Sequence, residues 1–144
     1  MHIQVPVICA VITNDEGQIF LQKRIDPYQK EANGKWEFPG GKVDFNEGPL
    51  EAVVRETKEE TGFDIKVIRL LPAIYHNRWQ WVSEDGKTTE DRQVFLFCYE
   101  CKITAGEYKA GDQWVADGQF FDKDKIDYAQ TLPYTKEIIA MLDQ

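Results

Sequence analysis

The chain has no apolar run approaching the roughly 20 residues needed to span a bilayer. Its first residues, Met1-His2-Ile3-Gln4, lack the basic region of a signal peptide. These absences exclude a helical membrane protein and lead us to expect a cytoplasmic one. Positive charge is scarce as well: 17 Lys and Arg stand against 25 Asp and Glu, a net charge of −8. Non-specific nucleic-acid binding needs a basic surface, so that function class is excluded. A small nucleotide is not excluded, because a bound metal ion reverses the local sign. Cysteine is rare and odd in number, at three. Cys98 and Cys101 have C-x-x-C spacing, but residues three apart in a strand point to opposite faces, and no second pair lies nearby. With Cys9 they read as buried free thiols. Repeats, linkers and low-complexity tracts are also missing. Residues 1–144 therefore read as one domain, large enough to bury about 68–70% of its unfolded surface.

What is present alternates between strand and helix signals. Ile3 to Thr13 is an apolar, β-branched run that predicts a strand, with Pro6 suggesting an edge or an irregular start. Asn14-Asp15-Glu16-Gly17 predicts a turn, and Ile19 to Arg24 a second strand ending in two cations. A hydrophilic loop, Asp26 to Lys35, leads into Trp36-Glu37-Phe38 and the tight Pro39-Gly40-Gly41. Asp64 to Leu71 reads as a strand, and Tyr75 to Asp91 as a long polar excursion carrying Trp79 and Trp81. Gln93 to Lys102 is the clearest strand and is expected to be central. A loop from Ala105 to Asp117, a short strand at Gly118 to Phe121 and an amphipathic helix from Thr135 to Leu142 complete the chain. Helices flanking a mostly β middle predict an α/β fold, a mixed sheet with helices on both faces.

The most informative stretch is Gly41 to Phe63. Leu50 to Thr61 contains no Gly or Pro, and Gly62 sits where a left-handed cap ends a helix. At about 100° per residue, Leu50, Val53, Val54, Thr57 and Thr61 share one arc, which is expected to pack inward. Glu56, Glu59 and Glu60 share a neighbouring arc. An arbitrary Glu-Glu pair is a solvated helix face. Three carboxylates at i, i+3 and i+4 repel, however, and call for a compensating cation. Hard oxygen ligands of this kind suit Mg²⁺, with Mn²⁺ as a substitute.

The spacing Gly41, Glu47, Arg55, Glu56, Glu59, Glu60, Gly62 resembles the Nudix box of the Nudix hydrolase superfamily. Its entry, Trp36 to Lys42, is similar to that of MutT-like members. Seven fixed positions match by chance on the order of 10⁻⁸ per starting point, so the bland reading gives way. The sequence departs from the pattern at two packing positions, Thr57 and Phe63. The resemblance implies an α/β/α sandwich with a mixed β-sheet, and a loop–helix–loop that binds metal on Glu56, Glu59, Glu60 and the carbonyl of Gly40. It also implies hydrolysis of a nucleoside triphosphate or modified nucleotide to the monophosphate and pyrophosphate. Glu56 is the favoured proton acceptor, and Arg55 is counted with the catalytic glutamates, braced by Glu47. Lys23 and Arg24 are candidates for holding phosphate or base, Glu37 for a place near the metal, and Trp79, Trp81 and Tyr134 for base stacking. Glu107, Asp112 and Asp117 are candidates for a further acidic ligand. The Leu132-Pro133-Tyr134-Thr135 segment lacks the Asn with which some MutT-like members read oxidised guanine. Alternative readings are a hydrolase of a nucleoside diphosphate linked to another moiety, and a non-catalytic nucleotide sensor. The partner is expected to be a small nucleotide, and the protein a monomer or homodimer.

Overall fold

The computed structural model describes residues 2–111 and 113–144. Its frame is a mixed sheet built on β7 (Thr89–Ala105), the strand expected to be central. On one side, β1 (His2–Ile12) runs parallel to β7 from the His2–Asp91 pair to the Ile12–Cys101 pair, and β4 (Gly40–Lys42) extends the sheet beyond β1. On the other side β6 (Tyr75–Val82) pairs with the first half of β7 and β5 (Asp64–Leu70) with the second, both antiparallel. Three further strands, β3 (Trp36–Glu37), β2 (Ile19–Arg24) and β8 (Val115–Phe121), form a separate antiparallel sheet. Among the described residues the turn between β1 and β2 carries a bridge, Thr13 to Ile19, after which the two strands part into different sheets.

Alternation along the strands feeds two cores. Ile8, Ala10 and Ile12 of β1, with Phe20 of β2, pack against Ala52 and Val53 of α1 (Pro49–Thr61). Val11, Leu21 and Cys98 pack against Ile138 and Ile139 of α2 (Thr135–Ala140). The result is the expected α/β/α sandwich. Cys98 and Cys101 are buried in different cores, Cys9 is half-buried opposite Cys98, and all three are free thiols. Among the described residues, no helix is long and apolar enough to cross a membrane.

Three expectations need correction. Pro6 lies within β1, an interior strand, not at an edge. Its carbonyl accepts from Val43 N on the β4 side. The nitrogen of a strand residue points the same way as its carbonyl, so proline costs the ladder with β7 nothing. The polar excursion is in fact β6 and the tip of a hairpin with β7. Tyr75, Asn77, Trp79 and Trp81 are half-buried while His76, Arg78 and Gln80 are exposed, a strand alternation masked by polar residues on both faces. Finally, α1 is rotated from the expected arc. Leu50 is 56% and Val54 43% exposed, while Ala52, Val53, Thr57 and Thr61 are buried. The rotation turns Glu56 and Glu60 toward the sheets.

α1 ends as expected: Gly62 adopts φ 82° and its N–H donates to Lys58 O at 3.0 Å. Thr57 is fully buried, and its hydroxyl has no partner among the described residues. An unpaired buried hydroxyl is a penalty that valine, nearly the same shape, does not carry. Thr57→Val should therefore raise stability by up to ~1 kcal/mol, read as a higher thermal midpoint.

Candidate active site

The turn into β4 has no room for side chains. A Cβ on Gly40 would drive into the Ile8 carbonyl, and one on Gly41 would lie 2.8 Å from the Glu56 carboxyl carbon. Both glycines serve close approach: β4 slides against β1, and the carboxylate of α1 reaches over Gly41.

Around this turn the carboxylates gather. Glu56 and Glu60 lie one turn apart on α1, close enough for the Glu56 charge to push the Glu60 carboxyl up. Burial pushes the Glu60 carboxyl well up, and the Glu37 charge pushes it further. Burial also raises Glu56 and Glu37, against the pull of Arg55 on the first and Arg24 on the second. Gln22 Nε2 donates to Glu60 Oε1 at 2.6 Å, while Glu60 Oε2 is buried with no hydrogen-bond donor among the described residues.

Arg55 organises the outer rim. Its Nε donates to Glu47 Oε2 at 2.6 Å and its Nη2 to Glu47 Oε1 at 2.9 Å. Its Nη1 reaches Glu56 Oε1 and Glu59 Oε2, each at 3.1 Å. The guanidinium holds the Glu47 carboxyl down at about 2. A depressed carboxyl pKa means the brace is at full strength above the ordinary value of 4.5 and is lost as pH falls toward 2. Arg55→Gln should thus flatten the part of the acid-unfolding curve between those two values, checked by circular dichroism across a pH series.

Among the described residues, no three His, Cys, Asp or Glu side chains form a ready-made metal cage. The site nonetheless fits a divalent cation: the facing pair Glu56 and Glu60, the unpartnered Glu60 Oε2, and nearby Glu59 supply hard oxygen donors.

The acidic cleft, about 370 Å³, is lined by Glu37, Glu56, Glu59, Glu60 and Glu84 among others. It adjoins a more apolar cavity of about 250 Å³ lined by Trp79, Trp81, Val94, Leu96, Pro133 and Ile138 among others. Arg24, Glu37, Gly40, Gly41 and Trp81 line both. Arg24 stands at the junction, 2.7 Å from Asp26, 3.3 Å from Glu37, and 5.7 Å from the Trp79 ring centroid. The Arg92 guanidinium lies 4.2 Å from the Trp81 ring.

The two cavities thus collect Gly40, Glu56, Glu59, Glu60, Arg24, Glu37 and Trp79, with Arg55 bonded to two of the glutamates. They do not collect Lys23 or Tyr134. Lys23 is exposed on the opposite side of β2 from Gln22 and Arg24, because adjacent strand residues point opposite ways. Tyr134 stacks on Tyr75 at 4.6 Å between centroids instead of facing the cleft. Glu107 and Asp117 are exposed and line neither cavity; Asp112 lies outside the described residues. Sequence reading missed Gln22, whose signal is one amide within the apolar run of β2, and Gln29. The Gln29 amide exchanges two hydrogen bonds with the Val82 backbone, at 2.7 and 3.1 Å, pinning the hairpin over the cleft. It had no local signature.

A family model, NUDIX domain, matches residues 3–142. The chain belongs to the Nudix family. Within that family it is similar to the 8-oxo-dGTP diphosphatase of Proteus vulgaris, 38% identical over 77 residues, covering 54% of this chain and 63% of that protein. It is 26% identical over 136 residues to a MutT-like protein of Streptomyces ambofaciens, covering 94% and 75%. Among solved structures it is similar to a UDP-X diphosphatase, 30% identical with a TM-score of 0.70, over 99% of this Nudix chain and 62% of that one. It therefore spans less than two thirds of the first relative and of that structure.

Proposed function

We propose that this Nudix domain, residues 1–144, hydrolyses a phosphoanhydride bond of a nucleoside triphosphate or modified nucleotide, giving the monophosphate and pyrophosphate. The observation that carries this reading is the two-part cleft. Its acidic half suits a metal and a polyphosphate, its apolar half suits a base, and Arg24, Glu37 and Trp81 join them. Mg²⁺ is the cation expected, with Mn²⁺ as substitute, on Glu56, Glu59, Glu60 and the Gly40 carbonyl. When bound it neutralises phosphate charge and polarises the phosphoryl oxygens.

Each side chain has a task. Glu56 accepts the proton of the attacking water. Glu47 and Arg55 fix the glutamates, and Arg24, already desolvated, meets the anionic substrate where the halves join. Trp79 offers its ring to the base. Trp81 does the same, held by Arg92. The second reading is a nucleoside diphosphate linked to another moiety, favoured by the similarity over 99% of the chain to a UDP-X diphosphatase. A nucleotide panel assayed with and without Mg²⁺ separates these. Pyrophosphate release supports the first reading, and two phosphomonoester products from a linked diphosphate support the second. Tight binding without turnover replaces both with a sensor.

A further inference from the structure

We propose that Gln22 is the positioning residue of the acidic cleft, its buried amide spanning Glu37 and Glu60 so that Glu60 is fixed for a divalent cation. Gln22 is fully buried in β2, after Ile19, Phe20 and Leu21, which are all core residues. Its Nε2 donates to Glu60 Oε1 at 2.6 Å. It is paired with Glu37 across the β2–β3 ladder, and its amide pulls that buried carboxyl down. One amide nitrogen carries two protons, so a single group can serve two carboxylates on different elements. Glu60 is thereby held by one oxygen, and its other oxygen, Oε2, is buried with no donor among the described residues.

Stability alone does not account for the amide. Gln22 Oε1 is itself buried without a partner, a penalty that an apolar residue of the same length would remove. Chemistry does give a reason. A lysine or arginine there would be a fixed cation competing for the carboxylates that a metal needs. A leucine or methionine would leave the buried Glu60 without its donor and facing the Glu37 charge. A neutral amide eases their repulsion and orients Glu60 without neutralising either. Partners of this kind typically affect metal affinity or activity by about 10–100-fold.

This inference rests on the cation reading above, and the test separates the two. Mn²⁺ binding is measured calorimetrically, without nucleotide, for wild type, Gln22→Met, Glu60→Gln and the double variant. Gln22→Met should bind Mn²⁺ about 10–100-fold more weakly, in protein shown to be folded by a cooperative thermal melt. In the Glu60→Gln background it should cause no further loss, because Gln22 acts through Glu60. Unchanged affinity in folded Gln22→Met, or a loss that simply adds to that of Glu60→Gln, overturns the proposal while leaving the cation reading standing. Wild type that binds no Mn²⁺ overturns both. Should Gln22→Met and Gln22→Leu both fail to fold, the amide is structural and the proposal falls.

Discussion

Glu60→Gln should fold and yet turn substrate over at least ~100-fold more slowly than wild type, the scale of losing a charged group that acts in the transition state. The substitution keeps the shape of the side chain and an oxygen that can accept from Gln22 Nε2, now at 2.6 Å. What it removes is the negative charge, and with it the affinity of the inner cleft for a cation. Loss of structure is not expected, because Glu60 is already strained by burial and by the Glu37 charge. Removing that charge should leave thermal stability level or raised. Near-normal turnover by folded Glu60→Gln would show that its charge plays no part in the reaction.

Gly40→Ala should be strongly destabilising for a single-methyl change. The added Cβ meets the Ile8 carbonyl and the Cys9 Cα, backbone atoms of β1 that cannot rotate away. Relief requires β4 to separate from β1, breaking the pairing from Val7–Lys42 to Cys9–Gly40. Steric insertions into packed interiors typically cost about 1–3 kcal/mol, and this one strikes backbone, so the upper end or beyond is expected. Gly41→Ala makes an informative contrast. The three atoms nearest its Cβ all belong to the Glu56 carboxyl group, which can swing aside. Denaturant melts should show Gly40→Ala strongly destabilised and Gly41→Ala much less, with activity lost in both.

The box helix was legible because its signals are local: an uninterrupted run, a capping Gly62, and carboxylates at fixed spacing. Its rotation was not. The arc drawn through the apolar residues placed Leu50 and Val54 in the core, whereas this helix exposes them and turns Glu56 and Glu60 inward to meet Gly41 and Gln22. Burying a carboxylate goes against the transfer preferences on which an arc is drawn, so the misplacement falls at the site itself. Lys23 and Arg24 shared one expectation, though adjacent strand residues cannot face the same cleft. Trp79 was identified as a stacking candidate, but the cavity around it draws on β1, β6, β7 and the 132–138 segment. Such a cavity is assembled by long-range pairing, and no window of sequence displays it.

The most direct test of the central claim is hydrolysis of a nucleoside triphosphate that the enzyme cleaves, in ¹⁸O-labelled water with Mg²⁺, followed by mass analysis of both products. The account predicts nucleoside monophosphate and pyrophosphate in equal amounts, with one ¹⁸O per turnover in one of them and none in orthophosphate. Label in the monophosphate places the attack on the first phosphorus, and label in pyrophosphate on the second. Release of labelled orthophosphate alone, or the same rate in Glu60→Gln, would contradict it.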